Sequence, residues 1–141
     1  MVPLYETRGD RLHEKRVAEM VGEAWGVGIL RLPELSRPGD YLLHDEGRLL
    51  GIIEIKRRTT AHDKYDTFML SASKVEQMML ATRALHTDAW IIIEFADGIF
   101  YCTAKTMAAG VLRTGGRYDR SDPMAVELLH HIDHNQLTRI S

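Results

Sequence analysis

One cysteine, Cys102, leaves this chain without a partner thiol for an internal disulfide and without the thiolates of a cysteine-based zinc cluster. No stretch approaches the roughly 18 consecutive apolar residues of a membrane span, and the first ten residues lack the apolar centre of a secretion signal. A reducing cytoplasm, with no membrane partner, is therefore the expected setting. An excess of one charge is missing too: 18 Lys and Arg stand against 20 Asp and Glu, a net −2, which argues against a protein that coats nucleic acid. Gly115-Gly116 is not a Walker pattern, so a nucleotide hydrolase lacks its phosphate cradle. Repeats, low-complexity segments and a Ser or Cys triad are also lacking.

What is present is an ordinary globular composition, 45% apolar and 27% charged, over 141 residues, enough for one domain, 1–141, with its own core. The bases are unevenly spread. Between Gly47 and Lys74, Arg48, Lys56, Arg57, Arg58, Lys64 and Lys74 outnumber Glu54, Asp63 and Asp66; between Thr103 and Ser121, Lys105, Arg113, Arg117 and Arg120 face only Asp119.

The chemistry centres on Leu49-Leu50-Gly51-Ile52-Ile53-Glu54-Ile55-Lys56, an apolar strand that ends with a carboxylate and an ammonium two residues apart. Strand alternation points Glu54 and Lys56 one way, and Ile53 and Ile55 into a core. Asp45-Glu46-Gly47-Arg48 reads as a turn, which makes Tyr41-Leu42-Leu43-His44 the partner strand. Folding the hairpin about positions 46 and 47 sets residue 40 opposite 52 to 54, so Asp40 meets Glu54. Two converging carboxylates repel unless a cation lies between them, and the hard, oxygen-seeking ions Mg²⁺ or Mn²⁺ suit that place.

Around this hairpin the pattern predicts a first helix over Asp10–Ala24, with Leu12, Val17, Met20, Val21 and Ala24 as its apolar stripe and Gly26 and Gly28 at its exit. Gly28–Leu32 is a first strand, stopped by Pro33, and Ser36-Arg37-Pro38-Gly39 is a loop delivering Asp40. Arg57–Thr67 is a long polar loop rich in phosphate-binding side chains. Ser71 or Ser73 caps a helix through Val75, Met78 and Leu85, which puts Lys74 and Gln77 at its N-terminal end, where anions are favoured. Asp88–Phe95 is a central strand, and Asp97-Gly98 turns it into Ile99–Cys102. Lys105–Leu112 reads as a weak helix or loop, Arg113–Arg120 as a tight loop with three arginines, and Val126–Leu129 as a last strand. Glu94, near the end of its strand, is set aside as a ligand because the Asp97-Gly98 hairpin after it has a separate explanation. His130, His131 and His134 are expected at the surface, because adjacent histidines on a strand diverge and zinc needs converging ligands.

Gly39-Asp40, thirteen intervening residues, then Glu54-Ile55-Lys56 resembles the PD-(D/E)xK nuclease superfamily. One departure is visible: Gly39 separates Pro38 from Asp40. Glu14-Lys15-Arg16-Val17-Ala18-Glu19-Met20-Val21 resembles the first helix of archaeal-type Holliday-junction resolvases, which also have phage-encoded relatives, and this favours Glu14 as a third acid over Glu19 and Glu23. The resemblance implies an α/β fold with a restriction-endonuclease-like core, a central mixed sheet flanked by helices. It implies a metal-dependent endodeoxyribonuclease in which Asp40, Glu54 and the Ile55 carbonyl hold Mg²⁺ or Mn²⁺, Lys56 positions the attacking water, and Glu14 completes the site. Arg57, Arg58, Lys64, Lys74, Gln77, Arg117 and Arg120 are the expected DNA contacts, branched DNA the expected substrate form, and a homodimer the expected assembly. The alternative is a non-catalytic DNA-binding protein that keeps the fold, although here the acidic pair is intact.

Overall fold

The computed structural model describes residues 8–33, 38–116 and 126–141. Helix α1 (Arg8–Trp25) leads into strand β1 (Gly28–Arg31), then β2 (Tyr41–Asp45) and β3 (Arg48–Arg57) form the expected hairpin. Strand β4 (Thr67–Ser71) and helix α2 (Ala72–Leu85) cross over to β5 (Asp88–Phe95), which turns into β6 (Gly98–Thr103). The short helix α3 (Ala104–Ala108), strands β7 (Val111–Gly116) and β8 (Val126–Asp133), a 3-10 turn and β9 (Thr138–Arg139) follow.

The main sheet has the order β1-β2-β3-β5-β6-β9 and is mixed: β3 and β5 are parallel, and their neighbours pair antiparallel. A parallel pair needs a crossover long enough to return the chain, and β4 with α2 supplies it. A second sheet has the order β4-β8-β7.

Both faces of the main sheet are covered, so β3 and β5 are buried on two sides and read as continuous apolar runs. On one face Ile53, Ile55 and Ile92 pack with Val17, Ala18 and Val21 of α1; on the other, Ile52, Ile91 and Ile93 pack with Val75 and Met78 of α2. Truncating any of these isoleucines to Ala is worth about 2–5 kcal/mol. Cys102 lies in the second cluster, 3% exposed, and burial pushes its thiol up to about 12.

Four expectations need correction. The inward face of α1 is Val17, Ala18, Val21, Gly22 and Trp25, while Leu12 and Ala24 are exposed, because Trp25 swings in to meet Trp90 and Tyr101 edge-on at 5.4 and 5.5 Å. Residues 113–116 are not loop but part of β7, paired with Leu129 to Val126 of β8. Its two glycines disguised a strand that the β8 ladder holds in place. The two ends of the expected Arg57–Thr67 loop belong to strands: Arg57 closes β3, and Thr67 opens β4, paired with Asp133 of β8. Neither Ser71 nor Ser73 caps α2 by the expected bond; the Ser71 position makes no side-chain cap, and the two hydroxyls meet each other at 2.9 Å.

Candidate active site

The β2–β3 turn has positive φ at both Glu46 (48°) and Gly47 (81°), the type I′ signature that matches strand twist. It sets Tyr41 opposite Ile53, with a bulge between Leu43 and His44. Asp40 is therefore brought to Glu54: its amide donates to the Ile53 carbonyl at 2.8 Å, and its Oδ2 accepts from the Ile55 amide at 2.6 Å. A Cβ at residue 39 would lie 2.8 Å from the Ile53 carbonyl oxygen, so only glycine lets the chain approach β3 this closely. That is the physical reason for the residue between Pro38 and Asp40.

Asp40 and Glu54 are 2% and 5% exposed and are the buried charged residues among those described. Lys56 Nζ lies 3.7 Å from Glu54 Oε1, and Lys74 Nζ, from the first turn of α2, lies 3.7 Å from Oε2. These are ion-pair separations, longer than the 2.7–2.9 Å of a charge-assisted hydrogen bond. Glu14 lies one turn before Val17 and Ala18 on the inward face of α1 and is half-buried, whereas Glu19 is exposed beside Lys15 at 3.9 Å. Glu14 lines a cleft with Ile55 and Lys56 and is among the charges that act on Tyr41, whose phenol is raised chiefly by burial.

In the same cleft as Glu14, on the α1 face of the strands and opposite the side chain of Glu54, lies a cluster around Glu94, of which the sequence-based site held only Arg57. Glu94 accepts from Arg16, meets His13 Nε2 at 3.3 Å and lies 3.9 Å from Arg57 Nε. Its exclusion as a ligand thus has a reason other than the hairpin that follows it: cations from α1 and β3 already surround it. The i, i+3 spacing of His13 and Arg16 was the available signal, but their meeting with Glu94 across 78 residues was not local.

The expected DNA contacts divide by place. Arg58, Lys74 and Gln77 line one cleft on the α2 side together with the candidate catalytic Lys56. Arg57 faces Glu94 on the α1 side, and Lys64 is exposed with its ammonium 5.7 Å from the Tyr65 ring centroid. Arg58 is half-buried over Phe68, and desolvation lowers its guanidinium from the ordinary value. Arg117 and Arg120 lie outside the described residues.

The three C-terminal histidines are half-buried rather than at the surface and are spent on structure. His130 bonds the Gly110 carbonyl, His131 the Thr67 hydroxyl and His134 the Asp66 carbonyl. A group sequence reasoning did not pick out, His62, Asp63 and Asp97, brings possible ligand atoms within 4.8 Å of one another. Its geometry is that of a loop pin: Asp97 accepts from the His62 amide at 2.9 Å, meets the His62 ring nitrogen at 2.6 Å, and has Arg139 at 3.9 Å. That hydrogen bonding holds the Asp97 carboxyl below its usual range.

A mixed sheet whose central hairpin sets two buried acids and a lysine at one strand end, between two helical layers, defines a nuclease of the restriction-endonuclease-like fold. The family model described as "Phage putative PDDEXK endonuclease" matches residues 1–140, and the chain belongs to that family. None of the curated proteins matches it. Among solved structures it is similar to Hjc, a Holliday junction resolvase from the archaeal hyperthermophile Archaeoglobus fulgidus, at 18% identity and a TM-score of 0.57, over 92% of this chain and 86% of that one. It is also similar to D212, a nuclease from a fusellovirus, at 13% identity and a TM-score of 0.51, over 99% and 90%. No helix among the described residues is long and apolar enough to cross a membrane.

Proposed function

We propose that the chain is a divalent-metal-dependent endodeoxyribonuclease, with Asp40, Glu54 and the Ile55 carbonyl as the metal ligands. The carrying observation is the pair of buried carboxylates, 2% and 5% exposed, with Asp40 just before β2 and hydrogen-bonded to the Ile55 amide that follows Glu54 on β3. Buried charge needs compensation. Lys56 and Lys74 lie at ion-pair distance from Glu54, and Glu14 lines the neighbouring cleft with Ile55 and Lys56, so carboxylate oxygens from β3, the entry to β2 and α1 gather around one strand end. An all-oxygen donor set fits Mg²⁺ or Mn²⁺. When bound, such an ion supplies Lewis acidity and a water of lowered pKa.

The chain's own residues do the rest. Lys56, beside Glu54, orients the attacking water and offsets charge on the phosphate. Glu14, on the inward face of α1, completes the acidic set. Lys74 and Gln77 present a cation and an amide to the backbone from the first turns of α2, whose amide dipoles also favour an anion. Arg57, Arg58 and Lys64 add phosphate contacts. Branched DNA is the favoured substrate and a homodimer the favoured assembly, because Hjc, whose fold this chain shares, is a Holliday junction resolvase and a junction offers two equivalent strands.

The test is a panel of labelled linear, nicked, flap and four-way-junction DNA, with Mg²⁺, Mn²⁺, Ca²⁺ or EDTA. Cleavage of the junction with Mg²⁺ or Mn²⁺, binding without rapid cleavage in Ca²⁺, and loss in EDTA are expected. Cleavage undiminished in excess EDTA sinks the metal mechanism; binding without cleavage in every metal favours the non-catalytic alternative.

A further inference from the structure

Beyond the catalytic cleft, under the loop that follows β3, lies a separate pocket of about 400 Å³, lined mainly by apolar groups that include Phe68, Phe95, Met69 and Tyr65. Phe68 and Phe95 meet edge-on with centroids 6.3 Å apart and form its buried wall. Met69 and Tyr65 are 46% and 63% exposed and stand at its mouth. A pocket of this size and lining suits one flat heterocycle.

Arg58 connects it to the candidate site. It follows Lys56 by two residues and lines both this pocket and the cleft that holds Lys56 and Lys74, as does Met69. Its guanidinium lies 5.5 Å from the Phe68 centroid and donates to the Arg57 carbonyl, and among the described residues no carboxylate pairs with it. A half-buried cation with no carboxylate partner among the described residues, at the border between an aromatic pocket and the cleft of Lys56 and Lys74, matches a ligand with both an aromatic and an anionic part. Lys64, over Tyr65 at the mouth, adds to that charge. Thr67 and His131, bonded to each other at 2.8 Å, supply polar atoms at the pocket's edge.

We propose that this pocket receives one unstacked nucleobase of the DNA substrate, next to the phosphate that Lys56 and Lys74 face, with Arg58 spanning the base and its phosphate. The proposal rests on the nuclease reading and deepens it. Sequence-tolerant base recognition works by stacking on aromatic groups, and extruding a base is easiest where the duplex is already interrupted. The pocket thus gives a physical basis for preferring branched or distorted DNA, in which an unstacked base lies beside the scissile position.

The test walks 2-aminopurine, one position at a time, through the branch region of a four-way junction, with Ca²⁺ replacing Mg²⁺ so that bound DNA stays uncut. Wild type is expected to change the fluorescence severalfold at one position. Met69→Trp, which blocks the mouth from an exposed site, and Tyr65→Ala are expected to lose most of that change. Leu80→Trp, at an exposed site on α2, retains it. An abasic nucleotide at that position is expected to weaken wild-type binding about tenfold and to weaken Met69→Trp binding little. Thermal melts verify folding of each variant. If binding and Mg²⁺-dependent cleavage persist but no position responds, or wild type and Met69→Trp lose equally from the abasic site, the base pocket is overturned and the nuclease reading stands. A chain that neither binds nor cuts any DNA in the panel overturns both.

Discussion

Glu54 and Glu94 occupy neighbouring parallel strands near the same end of the sheet, yet their surroundings differ in kind. Glu94 faces α1 and is held by Arg16, His13 and Arg57, so its charge is answered by protein alone. Glu54 faces α2, 3.7 Å from each of two lysine amines and beside a second buried carboxylate, Asp40. A carboxylate at a strand end is thus not a ligand by position. What distinguishes the two is their setting: Glu94 is ringed by Arg16, His13 and Arg57, whereas Glu54 is nearly fully buried beside a second buried carboxylate, the arrangement on which the proposed metal site rests.

The sharpest way to break this comparison is to neutralise each carboxylate in turn. Glu54→Gln is expected to slow single-turnover cleavage at saturating Mg²⁺ at least a thousandfold, about 4 kcal/mol of barrier, while Glu94→Gln stays within tenfold. Equal losses would erase the distinction. Lys56→Ala should follow Glu54→Gln, because the proposed site needs both the metal ligand and the lysine beside it.

Next in size is the contrast along α1. Glu14→Gln is expected to cost at least tenfold, about 1.4 kcal/mol, and Glu19→Gln to leave the rate near wild type. The opposite ordering would put Glu19 at the metal and reverse the helix phase.

Much of this site was legible in the sequence because it is local. The turn at 45–48 fixes the hairpin, the hairpin fixes the register, and the register carries Asp40 to Glu54. Glu14 followed from its resemblance to a resolvase helix, although the apolar stripe given for α1 included the exposed Leu12 and Ala24. Lys74 was placed near the site by its position on α2, but its approach to Glu54 was not foreseen. What stayed hidden depends on long-range pairing. Strand β7 is spelled with glycines and arginine and is held by β8; the Glu94 cluster joins α1 to β5; the aromatic pocket gathers residues from β4, β5 and the loop between β3 and β4. None of these has a period or a turn that marks it in advance.

A smaller effect tests Glu94 as a tie between α1 and the sheet. Because Arg16 and Arg57 are about half exposed, their pairing with Glu94 is screened, and Glu94→Gln is expected to lower stability by about 1 kcal/mol. The loss should shrink in high salt, and urea denaturation at two ionic strengths measures it. A loss that is unchanged by salt would assign Glu94 a packing role instead.

DNA affinity distinguishes the faces more finely. Lys64→Ala is expected to lower the slope of log affinity against log salt by about one unit, and Arg57→Ala by less, since Arg57 is partly engaged with Glu94. Slopes equal to wild type in both would make these residues solvated charges only.

The smallest effect concerns the His62–Asp97 pin. Its folded carboxyl titrates below the ordinary aspartate value, so the stabilisation it gives is complete above about pH 4 and is lost as pH falls through the lower folded value. Hydrogen exchange of the His62 amide should therefore be protected at neutral pH and lose protection in acid, and Asp97→Asn should weaken that pH dependence. Undiminished dependence in the variant would point to another group.

Cys102 has a practical consequence. A thiol that ionises only near pH 12, inside a core cluster, is about one part in 10⁵ thiolate at neutral pH, and the thiolate is the form that maleimides and oxidants attack. To reagents the native chain is effectively cysteine-free. A single cysteine placed at exposed Leu80 or Lys64 will carry a fluorophore or spin label alone, without the native sulfur first being replaced in the core.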